Sequence, residues 1–144
     1  MPNHFHILCK TGNLPLSKSM GKLLTGYVVN FNRRRRRYGH LFQNRYKSIV
    51  CQEDIYPKEL IRYIHLNPVR GKLVKDLNEL GRNPWSGNSA LAGKVKRDWQ
   101  HTAYVLSFFG DSDNARKNYL KYVARVIQHR PDRELLDAAL KIFL

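Results

Sequence analysis

The alternation of apolar and polar positions predicts strands near the start of the chain. Residues 5–10 predict a short strand, in which His4 and His6 share one face because strand side chains alternate between faces. Residues 40–52 alternate in the same way and predict a second strand or a hairpin arm. One face of that segment would carry a polar and basic ladder, formed by Gln43, Arg45 and Lys47.

Apolar residues at steps of three and four predict helices elsewhere. One covers residues 17–31, with Ser17 as its N-cap. A second covers residues 53–66 and ends before Pro68, because proline disfavours the helical conformation of the residue that precedes it.

The second half of the chain is predicted to begin with a segment that has little regular secondary structure. Residues 71–98 are expected to be mostly loop, with Trp85 as a packing anchor. Three short helical patterns follow, at residues 99–109, 115–128 and 134–143.

Charge is distributed unevenly along the 144 residues. The formal charge is +15, of which +12 falls on residues 1–75 and +3 on residues 76–144. Five arginines stand in succession after the first predicted helix, Arg33, Arg34, Arg35, Arg36 and Arg37. This clustering predicts a polyanionic partner, with nucleic acid favoured over a membrane surface or a merely solvated basic face.

The remaining composition excludes several classes of protein. The two cysteines, Cys9 and Cys51, form no CxxC pair, so a reducing compartment is expected rather than a disulfide framework. No apolar run approaches the roughly 20 residues of a membrane span, and no signal peptide is visible. These features predict a cytoplasmic protein that is not attached to a membrane.

The candidate chemistry rests on two histidines and one tyrosine. His4 and His6 on one strand face could share a divalent metal, although two exposed strand histidines are the commoner interpretation of such a pair. Tyr63 and Asn67 lie four residues apart on one helix face, so an asparagine oxygen could complete the site beside the tyrosine. Tyrosine ordinarily titrates near 10, so attack on phosphorus would require help from a metal or a base. His65 is a poorer third ligand, because it lies one step round the helix.

Three linked stretches resemble the REP-associated tyrosine transposases, a family of single-tyrosine transposases in the HUH endonuclease superfamily. They are Met1 to Leu8 (MPNHFHIL), Gly39 to Ser48 (GHLFQNRYKS) and Tyr63 to Arg70 (YIHLNPVR). Residues 84–86 (PWS) are also similar. The resemblance covers about residues 1–110, which gives a transposase-like domain over 1–110 and a C-terminal helical extension over 111–144.

The resemblance implies an α+β, ferredoxin-like core with additional C-terminal helices. It implies that His4 and His6 hold Mg²⁺ or Mn²⁺, with Asn67 as a further ligand, and that Tyr63 cuts single-stranded or hairpin DNA to leave a 5′-phosphotyrosine link. The arginine run, Gln43, Arg45, Lys47 and Arg70 are then expected to contact DNA. Compared with the family pattern, the opening strand and helix are missing. We therefore expect an exposed sheet edge that a homodimer would close, or an inactive remnant.

Three alternatives stay open at this point. The chain could bind DNA hairpins without catalysis. It could be a basic RNA-binding or ribosome-associated protein, which explains the charge and the aromatic residues but not the histidine and tyrosine motifs. A zinc site could use His4, His6, Cys9 and Cys51, although Cys9 should face away from both histidines on a regular strand.

Overall fold

The structure, a computed structural model, describes residues 4–50 and 56–125, and within these ranges all regular secondary structure is helical. The elements are α1 (Leu16–Arg35), α2 (Pro57–Arg70), α3 (Leu77–Arg82), α4 (Asn88–Leu91), α5 (Thr102–Ser107) and α6 (Ser112–Ala124). The helix predicted at residues 134–143 lies outside the described ranges. No helix in the described ranges is both long enough and apolar enough to cross a bilayer.

The prediction of an α+β, ferredoxin-like core is wrong for the described part of the chain, which contains no strand. Residues 5–10 and 40–50 have no regular secondary structure. A strand is defined by the neighbour about 4.8 Å away with which it exchanges backbone hydrogen bonds. Alternating side chains mark two faces of a segment, but they do not supply that neighbour. The basic ladder of Gln43, Arg45 and Lys47 is therefore an exposed run on an irregular segment.

Side-chain contacts hold the N-terminal segment instead. The Phe5 ring lies 6.4 Å from the Phe42 ring between centroids. The Lys10 ammonium donates to the Tyr104 hydroxyl of α5 at 3.1 Å and lies 4.5 Å from the centre of the same ring. The segment that carries His4 and His6 is thus attached to two parts of the chain that are distant in sequence.

Helix α2 is the central element of the fold. Its helical pattern predicts a core stripe of Leu60, Ile61 and Ile64; Leu60 and Ile61 are buried, Ile64 is only half-buried, and Leu66 is buried as well. The predicted end before Pro68 is wrong, because α2 continues to Arg70. Proline removes one backbone donor, but the Gly71 amide still donates to the Asn67 carbonyl at 2.8 Å and closes the last turn.

The core lies where α2 and α6 meet the segments around α4 and α5. Its buried members come from both halves of the chain and are Ile61, Leu66, Leu91, Phe109, Tyr119 and Val123. Tyr119 is fully buried, and its hydroxyl donates to the side-chain oxygen of Asn88. Helix α6 therefore contributes directly to the core.

Residues 71–98 are more ordered than predicted, because they contain α3 and α4. Asp76 caps α3 by accepting a hydrogen bond from the Glu79 amide at 2.8 Å, and Glu79 accepts one from the Lys75 amide at 2.7 Å. This reciprocal arrangement resembles a capping box, a helix-start signal that the apolar pattern alone does not contain. Trp85 is not a packing anchor, since 93% of its surface is exposed.

Helix α1 starts earlier and ends later than predicted. Pro15, not Ser17, occupies the N-cap position, and the helix runs on into the arginine run until Arg36 adopts a left-handed conformation with φ of 49°. Met20 is the buried residue of its apolar stripe, whereas Leu23 and Tyr27 are exposed. The stripe is therefore only partly covered by the described residues.

Candidate functional site

The structure brings His4 and His6 together with Tyr63, which lies 57 positions after His6 in the sequence. The two imidazole rings meet edge to face, with 5.2 Å between centroids and 88° between planes. The His6 ring meets the Tyr63 ring in the same manner, at 5.7 Å and 75°. All three side chains are half-buried. The Tyr63 phenol thus contacts His6, which pairs with His4, although the described part of the N-terminal segment forms no strand.

The spacing of the two histidines fits a shared metal ion. A metal–nitrogen bond of about 2.1 Å places two imidazoles of one ion with their ring centres about 5 Å apart when the angle at the metal is near tetrahedral or octahedral. The observed 5.2 Å agrees with this distance. Within the described ranges, no three His, Cys, Asp or Glu side chains form a group that could hold a metal. A metal here would need oxygen ligands besides the two histidines.

Asn67 lies one helical turn beyond Tyr63 and is 8% exposed. Its side chain is buried, and its amide oxygen is the further metal ligand that the resemblance implies. The zinc alternative gains no support, since Cys9 forms no such group with the histidines in the described ranges and Cys51 lies outside them.

His65 belongs to the core rather than to a metal site. Its ring lies 6.3 Å from the Tyr119 ring, edge to face. A Cβ atom at Gly87 would lie 3.0 Å from the His65 ring, so an alanine there would crowd the imidazole. Burial lowers the pKa of His65 to about 4, which keeps the ring neutral.

Arg70 of α2 places a positive charge beside Tyr63. The Arg70 guanidinium lies 5.8 Å from the centre of the Tyr63 ring. Burial lowers the pKa of Arg70, the neighbouring Tyr63 raises it, and Arg62 lowers it. Arg70 was expected as a DNA contact, and the structure adds that it stands next to the candidate nucleophile.

An ionic network that the sequence does not reveal holds α2 against α6. Glu59 accepts hydrogen bonds from Arg62 on its own helix and from the Tyr122 hydroxyl on α6. The Arg62 guanidinium also lies 4.8 Å from the centre of the Tyr122 ring. Burial and the hydrogen bond to Glu59 raise the pKa of Tyr122 to about 12, so it stays a donor. The network fixes the face of α2 next to Tyr63.

The predicted DNA-contacting residues are exposed. The arginine run forms the last turn of α1 and its cap, and the Arg37 amide donates to the Asn32 carbonyl at 2.9 Å. Gln43, Arg45 and Lys47 are also exposed. Cations at a helix C-terminus are favoured by the helix dipole, but five side chains in succession exceed what one helix end requires.

Comparison with known proteins returned nothing. No protein-family model matches the chain, and neither a curated protein nor a solved structure matches it. The case for a function therefore rests on the geometry around Tyr63 and on the motifs of the sequence.

Proposed function

We propose that this protein nicks and rejoins single-stranded or hairpin DNA, with Tyr63 as the nucleophile. The observation that carries the proposal is the contact of the Tyr63 ring with the His6 ring, which in turn pairs edge to face with His4. Tyr63 is distant in sequence from the two histidines, and the motifs that carry these residues are the ones that resemble the REP-associated tyrosine transposases. A core tyrosine with a structural role has no need of two imidazoles and a guanidinium around it.

The chemistry assigned to Tyr63 is a phosphoryl transfer. Its hydroxyl oxygen bonds to phosphorus while the bond from phosphorus to the 3′ oxygen breaks. The proton lost from the phenol is matched by the proton gained at the 3′ oxygen. The product is a 5′-phosphotyrosine link and a free 3′-OH, and the reverse reaction rejoins the strand without ATP because the phosphodiester energy is retained.

The surrounding side chains have distinct roles in this proposal. His4 and His6 would hold Mg²⁺ or Mn²⁺, with the Asn67 oxygen as a further ligand, and the ion would neutralise charge on the phosphate oxygens. Imidazole is a better ligand for Mn²⁺ than for Mg²⁺, so Mn²⁺ should support the reaction better. The Arg70 guanidinium, 5.8 Å from the centre of the Tyr63 ring, would favour the negative charge on the phenol oxygen once its proton has left and before the bond to phosphorus forms.

The basic surface supplies the affinity for DNA. The exposed Arg33–Arg37 run and the Gln43, Arg45 and Lys47 segment offer charge-assisted hydrogen bonds to phosphates. Binding should therefore weaken steeply with salt. We propose that the protein works in the cytoplasm in association with the nucleoid, where single-stranded and hairpin DNA arise.

A covalent-adduct assay tests the proposal. Labelled single-stranded hairpin DNA is incubated with the protein and Mn²⁺, and protein–DNA adducts are separated on a denaturing gel. We expect an adduct that disappears with EDTA and with Tyr63→Phe. Tyr38→Phe is the matched control, because it removes a phenol hydroxyl from an almost fully exposed side chain that lies away from the histidines in sequence.

The possible outcomes separate the candidate functions. An adduct that persists in Tyr63→Phe contradicts the assignment of the nucleophile. Tight hairpin binding without any adduct, unaffected by EDTA, indicates a DNA-binding protein without catalysis. Preference for structured RNA over hairpin DNA indicates the RNA-binding alternative.

A further inference from the structure

The protein contains two tryptophans, and both are exposed. Trp85 is 93% exposed and Trp99 is 76% exposed. Single exposed apolar residues are common on protein surfaces and need no special explanation. Here, however, the two largest side chains of the chain both remain in water, although smaller residues such as Leu91 fill the core.

The backbone that carries Trp85 is firmly held. The Trp85 amide donates to the side-chain oxygen of Asn83 at 2.8 Å. The guanidinium of Arg97 donates to the carbonyls on either side of Trp85, those of Pro84 and Ser86, the latter at 3.0 Å. The indole is therefore displayed outward from a fixed turn and is not an incidental feature of a loose loop.

Arg97 connects the two tryptophans. Besides its bonds around Trp85, its guanidinium lies 5.7 Å from the centre of the Trp99 ring. A second link joins the same segments, because the Gln100 side-chain amide donates to the Gly87 carbonyl at 2.9 Å. Trp85 and Trp99 thus belong to one surface region with a common support.

A basic cavity adjoins this region. It has a volume of about 480 Å³, and Arg97 is part of its wall. The wall also contains Lys94, Lys96 and Arg116, with Asp98 as the single acidic residue, so positive charge exceeds negative by three. The Arg97 guanidinium donates to protein oxygens, and the exposed Lys96 pairs with Asp98 at 3.6 Å on the surface. The cations that face solvent here are Lys94, Lys96 and Arg116, which exceed the one acidic residue in charge.

We propose that Trp85, Trp99 and the adjoining basic cavity form a binding surface for single-stranded DNA, built from residues other than those around Tyr63. Unpaired bases stack on indole rings, and phosphates pair with Lys94 and Lys96. Duplex DNA is excluded as the preferred ligand because its base faces are already covered by neighbouring base pairs. The inference rests on the proposed function in one respect, namely that DNA is the partner.

The tryptophans themselves provide the measurement. Because both lie in the proposed surface, all intrinsic tryptophan fluorescence comes from it. The full-length protein is titrated with an oligo-dT of about ten nucleotides in EDTA, so that no metal-dependent reaction takes part. We expect quenching that saturates. An oligo-dT duplexed with oligo-dA and an oligo-U of the same length serve as competitors, and both should compete less well.

Variants locate the interaction. Trp85→Ala and Trp99→Ala should each weaken binding of a fluorescently labelled oligo-dT about tenfold, whereas Trp85→Phe retains a stacking ring and should lose less. Leu120→Ala removes an exposed apolar side chain from α6 and should change nothing. Lys94→Gln and Lys96→Gln should each lower the salt dependence, by about 0.7 in the slope of log K against log salt for each phosphate that the lysine no longer neutralises.

Absent quenching, or unchanged affinity in both alanine variants, overturns the inference. Equal or better binding of oligo-U or of the duplex overturns the assignment to single-stranded DNA. The result is independent of catalysis. Saturable quenching without a Tyr63 adduct supports the tryptophan surface and contradicts the strand-transfer proposal. An adduct without quenching supports strand transfer and contradicts the tryptophan surface.

Discussion

Mild acid should destabilise this protein through one side chain, His65. In the folded chain its imidazole is packed against Tyr119 and the backbone of Gly87, and burial lowers its pKa from 6.5 to about 4. The unfolded chain exposes the same imidazole, which then binds a proton near its ordinary pKa. Between these two values the unfolded state holds more protons than the folded state, so stability falls as the pH falls.

The size of the effect follows from the difference in pKa. A pKa unit corresponds to about 1.36 kcal/mol, so the full difference is about 3 kcal/mol, present above pH 6.5 and lost progressively until the pH is below about 4. Between pH 7 and pH 5 the contribution of His65 should be about 2 kcal/mol. Small domains have net stabilities of roughly 5–15 kcal/mol, so this loss is readily measured.

The assay is urea unfolding followed by far-ultraviolet circular dichroism at pH 7 and pH 5. Tryptophan fluorescence is a poor probe of unfolding here, because both indoles are already exposed in the folded state. The variant His65→Gln removes the titrating group. It should be less stable than the wild type at pH 7, because glutamine packs less well against Tyr119, but its stability should change by about 2 kcal/mol less between the two pH values.

His101→Gln is the matched control, because it removes an exposed histidine from the loop before α5. It should lose as much stability as the wild type when the pH drops. If His65→Gln also loses as much as the wild type, the buried imidazole is not the group responsible, and the reasoning about its environment is wrong.

Three further predictions concern packing and can be checked by urea unfolding at pH 7. Gly87→Ala should destabilise the protein by about 1–3 kcal/mol, because the new methyl group would crowd the His65 imidazole and the Gln100 side chain. The control Gly21→Ala, on the open face of α1, should be neutral or stabilise by up to about 1 kcal/mol. Equal effects of the two substitutions would contradict the close approach of His65 to Gly87. Tyr122→Phe should cost about 1 kcal/mol by removing the donor to Glu59, and little in a Glu59→Ala background, which lacks the acceptor, if the two act as a pair. Leu91→Ala should cost about 2–5 kcal/mol because its side chain is fully buried, and a cost below 1 kcal/mol would remove it from the core.

The helices were the predictable part of the fold. Apolar residues spaced three and four apart predict α2 and α6, because each of these helices buries one apolar face in the core. Ile61 of α2 and Tyr119 of α6 are buried. Helix ends were less predictable. Pro68 was expected to stop α2, yet the Gly71 amide closes one more turn, and this depends on a backbone hydrogen bond that no side-chain pattern encodes.

The strands and Trp85 show where the pattern fails. The alternation of apolar and polar residues in 5–10 and 40–50 indicates two faces but does not identify a neighbouring strand. A strand requires backbone hydrogen bonds to such a neighbour. Trp85 was assigned to packing because large aromatic residues are usually buried. The turn at Asn83 and the hydrogen bonds from Arg97 orient it outward instead, and those contacts are tertiary.

The members of the candidate site stay a prediction from the motifs, whereas their contact is visible only in the structure. Spacing placed His4 beside His6, and the motif around Tyr63 singled out the tyrosine. Their contact depends on how the N-terminal segment crosses α2, which side-chain spacing does not determine. The sequence also does not predict the network of Glu59, Arg62 and Tyr122. Its one sign there is a Glu–Arg pair three residues apart, which is common on helix surfaces.

The two halves of the site are anchored very unequally. Tyr63 stands on α2, whose other face is the centre of the core, whereas His4 and His6 stand on an irregular segment attached by side-chain contacts such as that of Lys10 with Tyr104. On warming, we expect the histidines to separate from the tyrosine well before α2 melts. The site would then lose its histidines while Tyr63 stays in place. A ligand that contacts both the histidines and Tyr63 would raise the temperature at which the N-terminal segment detaches. It would not alter the temperature at which the core unfolds.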